Sequence, residues 1–126
     1  MRAVDTNVLV RIVVRDEPDQ VAAADAFIAN GAWVSHLVFT ETVWVLASVY
    51  KLSQERILAA ASMLLNHVHL TVEDSDVVEA ALTQHQAHRS ADLSDCLILE
   101  IARKAGHLPV GTFDRGLAKL KGAQKI

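Results

Sequence analysis

Five acidic residues stand at positions where a folded domain can use carboxylates for chemistry. Asp5 ends a short apolar segment near the start of the chain, and Asp114 follows another such segment late in the chain. Asp92 and Asp95 are three residues apart, so they share one face of a predicted helix. Glu41 lies within a strongly apolar predicted helix, where a carboxylate is costly to bury unless it is paired, protonated or bound to a cation.

These carboxylates are expected to converge, because ligands of open α/β sheets bind beyond the carboxyl ends of the strands. Like charges at short range repel strongly in a low dielectric, and oxygen ligands suit a hard divalent cation such as Mg²⁺ or Mn²⁺. Such a cation polarises a phosphoryl oxygen and lowers the pKa of an attacking water, so the pattern predicts phosphodiester hydrolysis. The expected direct ligands are Asp5 and Asp95, with Glu41, Asp114 and Asp92 completing the set. The polar neighbours expected to orient the acids are Thr6, Asn7 and Thr112.

Each acid also has a structural interpretation. Asp5 can cap the first helix, and Asp92 can cap the helix that holds Asp95. Asp114 can be an ordinary turn residue. The convergence of several carboxylates, rather than any one of them, therefore carries the prediction.

The elements that must position these residues alternate between short β-branched segments and longer helical ones, which is typical of an α/β domain with a mainly parallel sheet. Predicted strands cover about 2–5, 32–35, 68–72 and 108–112, with a weaker one near Gln124; predicted helices cover about 7–14, 16–30, 38–50, 53–65, 75–88 and 92–105, with a helical turn from 114. Right-handed crossovers place helices on both faces of such a sheet. We therefore predict that residues 1–126 form one three-layer α/β/α domain with a central sheet of four to five strands.

Composition narrows the function classes. The 126 residues are 52% hydrophobic and 21% charged, which excludes intrinsic disorder. The net charge of −3 excludes a basic protein that coats nucleic acid. Without the five site acids, ten acidic residues remain against twelve basic ones, so the rest of the chain is faintly basic and a metal-dependent nuclease is not excluded. No apolar segment is long enough for a membrane span, and Cys96, the single cysteine, suits a reducing cytoplasm.

Four motifs occur in order along nearly the whole chain. They are Val4-Asp5-Thr6-Asn7-Val8-Leu9-Val10-Arg11, Thr40-Glu41-Thr42-Val43-Trp44-Val45-Leu46, Ala91-Asp92-Leu93-Ser94-Asp95-Cys96-Leu97-Ile98 and Thr112-Phe113-Asp114-Arg115. Together they resemble the motifs of PIN-domain ribonucleases and, more narrowly, those of VapC-type toxins of prokaryotic toxin–antitoxin pairs. The resemblance implies an Mg²⁺- or Mn²⁺-dependent endoribonuclease whose acidic set is Asp5, Glu41, Asp95 and Asp114. It also implies a homodimer that is inhibited when a small cognate antitoxin inserts into its groove.

Other side chains of chemical interest receive less specific predictions. Candidate contacts to RNA phosphates, with solvated surface charge as an equal alternative, are Arg11, Arg89, Arg115 and Lys119. His85 and His88 have the spacing of a zinc pair, but no further ligand motif joins them, so a solvated helix face is expected. Trp33 and Trp44 are expected in the core or in an interface.

Two other functions stay open at this point. A catalytically degenerate PIN fold could serve as a binding scaffold, but the presence of all the acids counts against it. A phosphatase or receiver-like domain would be phosphorylated on an aspartate, and it needs either Asp-x-Asp or an acidic pair after the first strand. The chain has Asp5-Thr6-Asn7 there, which disfavours both.

Overall fold

The structure is a computed structural model that describes residues 1–126. Its contacts divide the chain into two compact units, Met1–Ser75 and Asp76–Ile126, which are described in turn. None of the helices has the length and apolar character that crossing a membrane requires.

The first unit contains a three-stranded parallel sheet in the order β1-β2-β3, with Arg2 opposite Ala32 and Ala32 opposite Leu70. Its elements are β1 (Arg2–Ala3), α1 (Thr6–Val14), α2 (Pro18–Ile28), β2 (Ala32–Val34), α3 (His36–Ser48), α4 (Gln54–Leu65) and β3 (Leu70–Val72). Serine hydroxyls define two helix starts, because Ser35 accepts the Val38 N–H at 3.1 Å and Ser53 accepts the Arg56 N–H at 3.3 Å. The fully buried side chains that form the core of this unit include Leu9, Ile28, Val34, Phe39, Leu46 and Leu64.

The second unit contains a two-stranded parallel sheet in which Val110 lies opposite Ala123. Its elements are α5 (Ser75–Ala87, which begins on the last residue of the first unit), α6 (Leu93–Ala105), β4 (Val110–Thr112), α7 (Arg115–Ala118) and β5 (Ala123–Lys125). Helix α6 ends at Gly106, whose positive φ of 82° is a conformation that glycine adopts without strain. Buried residues include Val78, Ala81, Ala91, Cys96 and Leu99.

The predicted α/β fold with parallel strands is confirmed, as is the strand near Gln124. The strands are shorter than predicted, and they are divided into sets of three and two. Helix α3 begins at His36 rather than at position 38, because Ser35 supplies the cap. Because each strand has only two or three residues, few positions of the sequence show the alternation that predicts a strand.

Neither tryptophan lies in the core of the structure, so of the two expected locations, core or interface, only the interface stays a prediction. Trp33 is 37% exposed because it alternates with the buried Ala32 and Val34 along β2. Trp44 is 63% exposed because the buried stripe of α3 runs through Thr42 and Leu46 on another face of the helix.

Candidate metal centre

Asp5 is both a helix cap and one wall of an open cleft in the first unit. The chain leaves β1 through Val4, whose N–H donates to the Trp33 carbonyl at 3.2 Å. Asp5 then accepts the Thr6 N–H at its Oδ1 atom, at 2.7 Å. The cleft has a volume of about 300 Å³ and is lined by Asp5, Thr6, Asn7, Val10, Arg11, Glu41, Val45, Val49 and Tyr50. The capping interpretation of Asp5 and its position beside a cleft therefore hold together.

Glu41 lines the same cleft but is exposed, which corrects the prediction that its carboxylate lies in apolar surroundings. Helix α3 buries Phe39, Thr42 and Leu46, which share one face, and Glu41 lies on the opposite side of the helix. The Glu41 carboxylate forms no ion pair or hydrogen bond within the chain. It is thus solvated and available to a ligand in the cleft.

Arg11, a predicted RNA contact, is committed to neighbouring side chains. Its guanidinium donates to the Tyr50 hydroxyl at 2.8 Å, to Asp16 at 3.0 Å and to Gln20. The hydrogen bond to Tyr50 is the main reason why the Arg11 pKa is raised above its usual value. Arg11 therefore braces one wall of the cleft.

Of the polar neighbours of Asp5, Thr6 orients the Asp5 carboxylate through its backbone rather than through its side chain. The Thr6 backbone N–H holds the Asp5 carboxylate, whereas the Thr6 Oγ1 atom is buried without a hydrogen-bond partner. Asn7 is exposed and faces the cleft. The amide of Thr6, rather than its hydroxyl, is the group that fixes Asp5.

The second unit places three predicted acids near one another. Asp92 occupies the N-cap position of α6 without making a side-chain cap bond, and Asp95 lies half-buried in the first turn. Burial raises the pKa of the Asp95 carboxyl, and the charges of Asp114 and Asp92 raise it further. The negative charges of Asp114 and Asp92 therefore oppose ionisation of Asp95.

Asp114 is held by its own turn. Its Oδ2 atom accepts the Leu117 N–H at 2.7 Å, which caps α7, and its backbone N–H donates to the Thr112 hydroxyl at 3.0 Å. Thr112 thus orients Asp114 through the backbone. The turn interpretation and the site interpretation of Asp114 are compatible, because capping engages only one carboxylate oxygen.

The chemistry of these donors fits a hard divalent cation. The Asp92 and Asp95 carboxylates form no ion pair within the chain, so their charge is uncompensated. Carboxylate oxygens are the ligands that Mg²⁺ and Mn²⁺ prefer. Cys96, which adjoins Asp95, does not offer a thiolate, because burial raises its pKa to about 11.

A second cluster of potential ligands lies apart from all five predicted acids in the sequence. Single ligand atoms of His36, Glu73 and Asp74 lie within 4.8 Å of one another. In the sequence, His36 follows the predicted strand 32–35, and Glu73 and Asp74 follow the predicted strand 68–72, but these residues belong to none of the four motifs. The backbone N–H of His36 donates to Glu73 Oε1 at 2.8 Å, so Glu73 satisfies an amide at the start of α3 that has no partner within the helix.

The remaining basic and histidine residues differ in their surroundings. Arg115 and Lys119 are exposed, and Arg89 is exposed as well. His85 is only 5% exposed, so the prediction of a solvated helix face is wrong for it, whereas His88 is exposed. The ring of His85 is buried because it turns inward and lies 2.7 Å from the Ala91 carbonyl oxygen.

The chain matches a known protein-family model. The family model described as the PIN domain matches residues 2–123. The matched residues include all five predicted acids and extend across both compact units. No curated protein matches the chain.

Proposed function

The chain belongs to the PIN-domain family, and from that premise we propose that it is a metal-dependent endoribonuclease acting as the toxin of a toxin–antitoxin pair. PIN domains are in general metal-dependent nucleases, and the finer activity is our inference. The observation that carries it is the group of Asp92, Asp95 and Asp114: burial raises the pKa of Asp95, the charges of Asp114 and Asp92 raise it further, and none of the three carboxylates forms an ion pair. We further propose that residues 1–126 act as one PIN-like domain, since the family match runs through both units.

The catalytic acids in this proposal are Asp5, Glu41, Asp95 and Asp114, and Asp92 is a further metal ligand. Mg²⁺, or Mn²⁺ in its place, supplies a Lewis acid for a phosphoryl oxygen and lowers the pKa of an attacking water. The chain contributes fixed carboxylates: the Thr6 amide restrains Asp5, and the Thr112 hydroxyl restrains the backbone of Asp114. Such restraint reduces the reorganisation that substrate binding requires.

The cleft beside Asp5 and Glu41 supplies a place for a nucleotide. Its walls combine apolar side chains from Val10, Val45 and Val49 with the polar Asn7. A nucleobase can pack against such apolar side chains while the attached phosphate stays near the carboxylates. Phosphates of the RNA are assigned to Arg89, Arg115 and Lys119, and Arg11 braces the wall through Tyr50.

Partner binding forms part of the same proposal. Helix α3 exposes 74% of Leu37 and 63% of Trp44, and Val49 just beyond its end is 62% exposed. Large apolar side chains at the surface are typical of protein interfaces. We propose that the chain forms a homodimer and binds an antitoxin in the cytoplasm, with Cys96 reduced.

Controlled expression tests the toxin role. Induction of the wild-type chain should arrest growth and produce new RNA 5′ ends at defined positions, and Asp5→Asn should do neither at the same protein level. Growth arrest that persists with Asp5→Asn would contradict the proposal. Metal and RNA binding without cleavage would favour the scaffold alternative, and acetyl-phosphate labelling of Asp5 would favour the phosphorylated-aspartate alternative.

A further inference from the structure

The short segment that precedes Asp92 is held by a buried histidine. The Nδ1 atom of His85 lies 2.7 Å from the Ala91 carbonyl oxygen, and the two residues are 5% and 0% exposed. Because a carbonyl oxygen can only accept, Nδ1 must carry the proton and donate. A hydrogen bond between buried groups is costly to break, because the carbonyl oxygen left without its donor is also shielded from water and gains no replacement bond. This contact therefore fixes the backbone immediately before Asp92.

The same segment is approached closely by Gly116 of α7. A Cβ atom at position 116 would lie 2.2 Å from the Ser90 carbonyl oxygen and 3.0 Å from its carbon. It would also lie 3.2 Å from Oδ2 of Asp114. The obstacle is mainly backbone, which cannot rotate away as the end of a flexible side chain can. Glycine at this position is thus needed for close contact between α7 and the Ser90–Ala91 segment.

The two contacts tie together the elements that carry three acids. Asp114 caps α7 at one side of Gly116, and Asp92 and Asp95 begin α6 directly after Ala91. A side chain at position 116 pushes α7 away from Ser90, and loss of the His85 contact releases the backbone that precedes Asp92. We propose that His85 and Gly116 are positioning residues, which set the separation of Asp114 from Asp92 and Asp95 and thereby the affinity for a divalent cation. The proposal rests on the metal-binding role of these acids proposed above.

Substitutions at the two positions should weaken metal binding without removing a carboxylate. Gly116→Ala forces the backbones apart by about 1 Å, and loss of groups that orient metal ligands typically weakens affinity by about 10–100-fold. His85→Leu should weaken binding similarly. His85→Asn should restore most of the affinity, because the asparagine amide can place an N–H donor close to the position of Nδ1.

Mn²⁺ titration of the full chain, followed by the electron paramagnetic resonance signal of free Mn²⁺, measures this affinity independently of RNA cleavage. The matched control is Gly111→Ala, because a Cβ atom there would lie 3.8 Å from Ile126 side-chain atoms, which is ordinary contact. Titrations are made well below each melting temperature, with circular dichroism showing that the variant is folded. A purely structural role would lower the melting temperature but leave the Kd of the folded protein unchanged.

The outcomes separate this inference from the proposed function. Wild-type binding combined with a 10–100-fold weaker Kd for Gly116→Ala, and an unchanged Kd for Gly111→Ala, supports the positioning role. Equal Kd values for wild type and folded Gly116→Ala overturn that role alone. If the wild-type chain binds no Mn²⁺, the proposed function fails together with the inference. Should His85→Leu not fold, Gly116→Ala still decides whether the contact with the Ser90–Ala91 segment sets the affinity.

Discussion

Asp95→Asn should raise the stability of the metal-free protein. In the folded chain, burial raises the Asp95 pKa above its usual value, and the charges of Asp114 and Asp92 add to this effect. Stability therefore falls as the pH rises from the usual aspartate pKa through the raised one, and the whole penalty is present at neutral pH. Asparagine keeps the size of the side chain but removes the charge.

The magnitude is modest because Asp95 is only partly buried. Relief of the repulsion, discounted for solvent screening, should contribute about 0.5–1 kcal/mol to the free energy of unfolding at pH 7. For a chain of this length, that corresponds to a rise in melting temperature of about 2–4 °C. At acidic pH below the usual aspartate pKa, the difference should vanish, because both side chains are then neutral.

Added Mn²⁺ should make the wild type more stable than Asp95→Asn. Mn²⁺ at about a hundredfold excess over its Kd stabilises the folded wild type by about 2.7 kcal/mol, whereas the variant has lost a proposed ligand and gains less. Differential scanning calorimetry in chelator and in Mn²⁺ measures both increments. Asp76→Asn is the control: its carboxylate pairs with Lys104 at 3.0 Å, and this hydrogen bond lowers its pKa, so the variant should not gain stability.

Two results would contradict this role of the Asp95 charge. One is a lower melting temperature for Asp95→Asn than for wild type in chelator, because it would mean that the carboxylate charge stabilises the fold. The other is an equal Mn²⁺ increment for both proteins, because it would mean that Asp95 does not bind the cation. Asp76→Asn should show the wild-type increment in either case.

The cap of α7 and the burial of Cys96 and Phe39 each give a further prediction. Asp114→Asn should keep the α7 cap to Leu117, whereas Asp114→Ala should lose about 1 kcal/mol of stability by calorimetry, although both should lose cleavage activity. Equal stabilities would contradict the capping role. Cys96, buried with a pKa of about 11, should react with a thiol reagent at pH 8 only after denaturation; fast labelling of the native protein would argue against its burial. Phe39→Ala should lower the free energy of unfolding by about 3–5 kcal/mol in urea titrations, and a loss below 1 kcal/mol would mean that the core is packed differently.

Local signals in the sequence were sufficient to predict most of the elements and some of the helix ends, although not the Ser35 cap of α3. Ser53 and Gly106 are found at the predicted helix ends because capping and left-handed termination depend on neighbouring residues alone. Asp5 and Asp114 likewise lie just beyond the ends of short strands, each separated from its strand by a single residue, as the alternation of strand and helix predicts. The parallel pairing follows from the helical crossovers.

Nonlocal contacts account for what the sequence did not reveal. Glu41 is exposed because the buried face of α3 is set by packing, and an almost continuously apolar helix does not show which face that will be. His85 is buried through a carbonyl six residues further along the chain, a contact with no periodic signature. The closeness of Gly116 to Ser90 likewise depends on how α7 is placed, which no motif encodes.

Metal-dependent cleavage of RNA by the purified chain is the decisive measurement for the proposed ribonuclease activity. An end-labelled structured RNA is incubated with wild type, Asp5→Asn and Asp95→Asn in Mg²⁺ and in excess chelator, and the rate of fragment formation is measured. We expect cleavage by the wild type in Mg²⁺ only, with each variant slower by at least about a hundredfold. Cleavage by either variant at the wild-type rate, or undiminished cleavage in chelator, would contradict this expectation.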